Sequence, residues 1–132
     1  KRVGPTRRLQ LGRLYDRLGR SDDALSQYRQ AVAMLELHVG QLKRDANGRP
    51  SDGDLQIEIA ENQLRLVSRC AALNAALSRR GQSAEADVAD ECRQLARLGA
   101  TDALQRARKN LPQMNLRQQK ALHQIRRQLR KN

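Results

Sequence analysis

The sequence predicts an all-α protein, in which about five to six helices pair as antiparallel hairpins. Apolar residues recur at intervals of three and four along most of the chain, and clusters that contain glycine or proline separate these stretches. No stretch alternates apolar and polar residues in the way that is typical of a strand. With 132 residues the chain is long enough for one domain with a modest hydrophobic core.

Residues 7–36 carry the clearest pattern, a pair of amphipathic helices joined by a short turn. The spacing predicts a first helix from about residue 6 to 18 and a second that starts near Ser21. Gly19 can adopt the left-handed conformation that ends a helix, and Ser21 is a candidate N-cap for the next one. The apolar positions of the two helices are Leu11, Leu14, Tyr15, Leu18, Ala24, Leu25, Tyr28, Ala31 and Val32.

Small and large residues alternate across this hairpin. Gly12 and Ala24 would allow the two helices to approach closely, while Tyr15 and Tyr28 would fill the space beside them. Residues 7–36 therefore resemble a tetratricopeptide repeat (TPR), in which one helix pair forms each unit. The residues that carry this resemblance are Leu11, Gly12, Tyr15, Gly19, Ala24, Tyr28 and Ala31.

The match to the repeat family is incomplete at two positions, because Arg8 stands where Trp is usual and Glu36 where Pro is usual. A degenerate second repeat is predicted over residues 67–98. Its Leu73, Leu77, Gly81 and Ala86 have the same mutual spacing as Leu11, Tyr15, Gly19 and Ala24. The resemblance implies a TPR-like solenoid or bundle that forms a single domain over residues 1–132.

The resemblance also implies a function, because a TPR-like stack presents the first helix of each pair along a concave groove that holds a peptide or a partner helix. We therefore expect an interaction module, of the adaptor, scaffold or chaperone type, that performs no catalysis. The residues that the resemblance places in this groove are Leu9, Arg13, Asp16 and Arg17 in the first unit and Ala71, Ala75 and Arg79 in the second.

The second and third helices are predicted to form a longer hairpin than the repeat family requires. The apolar spacing continues the second helix to about residue 44, turn-forming residues predict a loop over 45–53 with Ser51 as a candidate cap, and the third helix follows over 54–80. We expect residues 37–60 to extend beyond the repeat stack. A single repeat needs neighbours to bury its apolar face, so a seam in this hairpin is a candidate surface for a homodimer or a partner. The seam consists of Leu35, Val39, Leu42, Leu55 and Ile59.

The C-terminal third is predicted to contain shorter helices that cap the stack over residues 101–132. A fourth helix begins near Ser83, residues 99–102 are expected to end it, and a short helix then runs to about residue 109. The apolar residues expected to face inward on the fourth helix are Val88, Cys92, Leu95 and Leu98. The last helix, over 115–131, carries Leu122, Ile125 and Leu129 on one side and a basic patch of Arg126, Arg127, Arg130 and Lys131.

The net charge of +12 is placed at the two ends of the chain. Residues 1–20 carry a net +6 and residues 101–132 a net +8, whereas residues 51–100 carry −2. Such ends attract acidic groups through a long-range field. We therefore expect the partner to be another protein that offers an acidic peptide or helix, with a homodimer as a second arrangement.

Nucleic acid is the alternative partner. Arginine accounts for 21 of the 26 basic residues, and its guanidinium suits phosphate. The alternative predicts phosphate contacts with little sequence readout, because Tyr15 and Tyr28 are the only aromatic residues and both are assigned to the hairpin core. A base-biased genome would explain the arginine content equally well. The last helix has no Trp or Phe to anchor it in a membrane surface, and we expect no membrane insertion.

The sequence offers no constellation that predicts catalysis, a metal or a cofactor. His38 and His123 lie in different helices, and no glycine-rich phosphate loop is present. Cys70 and Cys92 lack the paired spacing of a zinc site and fall within apolar helical stripes. They are expected to be core thiols in a reducing, cytoplasmic compartment, with a disulfide as the alternative. Because the first residue is Lys1, we expect the chain to be an excised segment or a processed product.

Overall fold

The computed structural model describes residues 4–131, which fold into five α-helices without a strand in that range. The helices are α1 (Pro5–Arg17), α2 (Ser21–Gly48), α3 (Gly53–Arg79), α4 (Ser83–Arg108) and α5 (Leu116–Lys131). A single turn of 3₁₀ helix, Leu111–Gln113, precedes α5. The predicted all-α class is confirmed, and the helices pack on one another in a bundle.

The α1–α2 hairpin is closed by a large side chain that sits against a glycine. Tyr28 is 3% exposed, and its ring lies against the buried Gly12 of α1. The Tyr28 hydroxyl donates a hydrogen bond to Asp16 Oδ2 at 2.6 Å, so the ring is fixed at both ends. Gly19 takes a φ of 75° in the turn, as the sequence predicts.

Two features of this hairpin differ from the sequence expectation. Leu14 and Leu18 are exposed to solvent instead of lying in the hairpin core. Helix α2 continues to Gly48, through residues that the sequence assigns to a loop, because Ala46 is buried in the same core cluster as Leu42 and holds this last turn against the bundle.

The caps of α2 and α3 also differ from the prediction. Ser21 does not cap α2 with its side chain, because the helix already begins at this residue and Arg20 occupies the N-cap position. The cap of α3 is Asp52 instead of Ser51, since the Asp52 carboxylate accepts a hydrogen bond from the Leu55 backbone N–H at 3.1 Å. Each cap is thus displaced by one residue from its predicted position.

Helix α4 is continuous where the sequence predicts a break. It runs through Gly99, whose missing side chain leaves room for the side chain of Gln63 on α3, and the Thr101 hydroxyl donates to the Arg97 carbonyl oxygen at 3.1 Å. Glycine costs a helix about 1 kcal/mol relative to alanine, which is small beside the gain from packing a whole helix face. Tertiary packing on α3 therefore outweighs the local stop signal.

The inward face of α4 also differs from the prediction. Of the residues that we expected to face inward, Cys92 is half-buried and reaches Cys70 on α3, whereas Val88, Leu95 and Leu98 are exposed and do not form the α3 contact. Small residues form it instead, and this close contact makes α3–α4 the most extensive helix pairing of the described residues. The alanines buried on this face are Ala86, Ala89, Ala96, Ala100, Ala103 and Ala107.

Helix α3 is the central element, because both apolar core clusters contain part of it. Its C-terminal half joins α1, the first part of α2 and the first part of α4 in one cluster. Its N-terminal half joins the end of α2, the second half of α4 and the apolar side of α5 in the other. All five residues of the predicted dimer seam are buried, so they do not form an exposed surface of the monomer: Leu35, Val39, Leu42, Leu55 and Ile59.

The substitution Gly12→Ala tests the closure of the α1–α2 hairpin. A Cβ at this position would lie 2.5 Å from Tyr28 Cε1, so the ring must move and weaken its bond to Asp16. We expect the free energy of unfolding in urea to fall by about 1–3 kcal/mol. Gly40→Ala is the matched control, because a Cβ there meets only the flexible end of Arg44 and should stabilise α2 by up to about 1 kcal/mol. Equal stability of wild type and Gly12→Ala would contradict this account of the hairpin.

Candidate functional site

Some of the partner-binding residues predicted on α1 and α3 make contacts within the molecule, and others are exposed. Leu9 is buried in the core, whereas Arg13 and Arg17 are exposed. Asp16 accepts the Tyr28 hydrogen bond and also pairs with Arg79 across α1 and α3, with 2.9 Å between Arg79 Nη2 and Asp16 Oδ2. The structure thus brings two of the predicted residues together as an ion pair between α1 and α3.

A basic cleft of about 460 Å³ opens between α3 and α5. It is lined by Glu61, Leu64, Arg65, Ser68, Arg69, Lys120, Ala121, Gln124, Ile125 and Gln128. Its three cations form no ion pair with any residue that the structure describes, and the only carboxylate in its lining is Glu61. The basic cleft therefore holds an excess of positive charge in a concave site.

Arg69 is the unusual member of the basic cleft because it is only 9% exposed. Its Nη2 donates to Thr6 Oγ1 on α1 at 3.2 Å, but its buried Nε has no hydrogen-bond partner among the described residues. Burial, followed by the charges of Arg65 and Arg13, lowers the pKa of the Arg69 guanidinium. A buried cation with two cationic neighbours and no paired acid is an uncompensated charge.

The basic cleft does not appear among the sequence-based predictions, although the sequence holds a signal for it. Arg65 and Arg69 are four residues apart, and this spacing puts both guanidinium groups on one side of α3, although it does not predict that Arg69 is buried. The net charge at the chain ends points to α1 and α5, whereas the buried guanidinium is in the middle of the chain.

A second concave feature, the α2–α4 groove, runs between these two helices with α3 as its floor. Both helices pack on α3 and make little direct contact with each other, which leaves two adjoining cavities of about 390 and 330 Å³. Apolar side chains of α4 stand at its edge, with Val88 65% and Leu95 69% exposed. The charged groups around the groove are Glu36, Lys43 and Glu91, together with the ion pair between Arg29 and Glu85.

Cys70 and Cys92 meet inside the α2–α4 groove as free thiols, with 2.8 Å between their Sγ atoms. Cys70 is buried and Cys92 is half-buried. Burial raises the pKa of the Cys70 thiol, and hydrogen bonding to Cys92 raises it further. Burial and the nearby Glu36 carboxylate raise the pKa of Cys92. Both thiols are therefore protonated and poorly nucleophilic at neutral pH.

Residues 4–131 hold no arrangement typical of a metal centre. Within this range no group of three or more His, Cys, Asp and Glu side chains could hold a metal ion. His38 and His123 are exposed on separate helices.

Both tyrosines are at least partly buried. Tyr28 is buried, and Tyr15 is half-buried with the Arg20 guanidinium 4.9 Å from its ring centroid.

The basic patch at the end of α5 is exposed, whereas the apolar side of this helix is buried against α3 and α4. None of the helices described is long and apolar enough to cross a membrane.

No family model, no curated protein and no solved structure matches this chain. The helical architecture is compatible with a helical repeat.

Alkaline titration tests the hydrogen bond between the Tyr28 hydroxyl and Asp16. Burial, and then the hydrogen bond and charge of Asp16, raise the pKa of Tyr28 from 10.0 to about 12. Because the pKa is higher in the folded state, the stabilisation is complete below pH 10 and is lost as the pH rises through about 12. We expect the tyrosinate absorbance of Tyr28 to appear near pH 12, and Asp16→Asn to move this step to lower pH. Asp102→Asn on α4 is the control, and an unchanged Tyr28 step in Asp16→Asn would contradict this assignment.

Proposed function

We propose that this chain is a non-catalytic, TPR-like protein–protein interaction module that binds an amphipathic helical segment of a partner protein in the α2–α4 groove. The observation that carries the proposal is the exposure of Val88 and Leu95 at the edge of a preformed groove. Exposed apolar residues that cluster beside a groove are typical of a protein-binding surface.

The shape of the groove suits a helix. Its two walls are α2 and α4, and its floor is the side of α3 that carries Leu66, Cys70 and Leu73. Val88 and Leu95 are seven residues apart, so they lie two turns apart on one side of α4. An incoming helix with apolar residues at matching intervals would cover both, and burying two such side chains contributes about 3–6 kcal/mol before the cost of association.

The charges around the groove indicate the chemistry of the partner. Glu36 and Glu91 each carry a negative charge beside the apolar edge, Lys43 is a single opposing cation, and Glu85 is neutralised by Arg29. We therefore propose a partner helix with basic residues along its polar edges. This partner differs from the acidic one expected from the net charge, because the local charge at the groove has the opposite sign to that of the whole chain.

The repeat-like hairpins support the assignment to an interaction module. The turn after α1 and the turn after α3 each contain a glycine with positive φ, Gly19 at 75° and Gly81 at 73°, and each is followed five residues later by a buried alanine, Ala24 or Ala86. The second hairpin thus reproduces the turn geometry of the first. The proposed groove, however, lies between the second helices of the two pairs, whereas the resemblance implies a groove along the first helices.

Leu95→Ser tests the groove directly. The partner would first be isolated from the native source and identified by mass, and its helical segment synthesised for titration calorimetry. We expect one-to-one binding by wild type and an affinity at least about tenfold lower for Leu95→Ser, since the loss of one buried apolar side chain is worth about 1.5–3 kcal/mol. The exposed position implies unchanged helicity and thermal stability.

Leu116→Ser is the matched control, because Leu116 is 67% exposed on α5 and lies outside the groove. It should bind the segment as wild type does. Equal affinity of Leu95→Ser and wild type would overturn the groove assignment. If sedimentation shows instead that the chain forms a dimer that Leu95→Ser dissociates, the occupant is a second copy and the proposal of a different partner fails.

A further inference from the structure

We propose that the basic cleft between α3 and α5 binds a small phosphate-bearing anion, of the pyrophosphate or sugar-phosphate class. The cleft and the α2–α4 groove share no lining residue, and they lie on opposite sides of α3. It is therefore a separate site, and a failure to bind an anion there would not affect the proposed function.

The positive charge of the cleft is not neutralised within the described chain. Arg65, Arg69 and Lys120 line one cavity with no ion pair to a described residue, and the only acid in the lining is Glu61. Arg13 on α1 adds a fourth cation close enough to lower the pKa of Arg69. Several like charges that share one concave site favour an anion that enters it from solution.

The burial of Arg69 adds a second reason to expect an anion. A guanidinium that is only 9% exposed, with an unbonded Nε, loses hydration without an intramolecular counter-charge. Its Nη2 is held by Thr6, and Arg65 Nη1 is held by Asn62 Oδ1 at 3.1 Å. These contacts fix the position of both guanidinium groups while leaving their charge unneutralised. An anion in the cleft would supply the missing charge to a site that is already ordered.

The donors and the size of the cleft favour a phosphate over other anions. Two guanidinium forks and one ammonium can together address more acceptor oxygens than a carboxylate offers, whereas a phosphate presents three or more. Ser68 and Gln124 add neutral donors from opposite walls. The volume of the cavity, about 460 Å³, is larger than that of a single phosphate ion. Its apolar lining consists of Leu64, Ala121 and Ile125, and it contains no aromatic ring on which a base could stack. A compact polyanion is therefore favoured over a nucleotide or a nucleic acid.

Titration calorimetry with pyrophosphate at constant ionic strength tests the site. We expect saturable one-to-one binding by wild type and an affinity at least about tenfold lower for Lys120→Gln, because one charge-assisted hydrogen bond is lost. Arg126→Gln is the matched control, since it removes one charge from the same helix at a position outside the cleft. We expect it to change the affinity less than about twofold.

Arg69→Gln should abolish binding, and its folding can be checked by circular dichroism. Because this residue is buried, the decisive variants are Lys120→Gln and Arg65→Gln, which both change exposed positions. Equal losses in Lys120→Gln and Arg126→Gln, or binding that never saturates, would show a general attraction to a basic chain and would overturn the proposal. Tighter competition by a glutamate-rich peptide, or by a single-stranded oligonucleotide, would assign the cleft to that ligand and would overturn it as well.

Discussion

The close packing of α4 on α3 through small side chains determines the rest of this structure. Alanines along one side of α4, and Gly99 against Gln63, allow the two helices to approach further than leucines would. Two consequences follow. The core of the molecule is dense around α3, which contributes to both apolar clusters. The larger apolar side chains in the first part of α4 are turned away from that core, so Val88 and Leu95 stand at the groove that we assign to a partner, whereas Leu104 further along the helix is buried.

The hairpin of α1 and α2 joins this centre through polar contacts as well as apolar ones. Asp16 links three elements, because it accepts a hydrogen bond from Tyr28 on α2 and pairs with Arg79 on α3. Arg80 at the end of α3 pairs with Asp22 at 2.6 Å and donates a hydrogen bond of 2.8 Å to the hydroxyl oxygen of Ser21. Two of the residues that the repeat resemblance assigns to a partner therefore hold the first hairpin on the second.

The sequence predicts the helices well and their packing poorly. Helices α1, α2, α3 and α5 begin within one or two residues of their predicted starts, because caps and turn glycines are local signals. On α4 two stripes compete, since the alanines and the larger apolar residues both recur every three or four positions. Hydrophobicity alone favours burial of the larger residues, but the close approach of α3 leaves room only for the smaller ones. The burial of Arg69 likewise depends on how α5 and α1 pack against α3, and no local sequence pattern predicts that packing.

The meeting of Cys70 and Cys92 gives the α2–α4 groove a chemistry of its own. They are the only cysteines in the sequence, and they line the same cavity, Cys92 from the α4 wall and Cys70 from the α3 floor. Cys70 is already fully buried, so Cys92 is the thiol that solvent can reach, and a helix seated in the groove would cover it. Occupation of the groove would therefore slow the alkylation of Cys92, even where the incoming helix does not touch its sulfur atom.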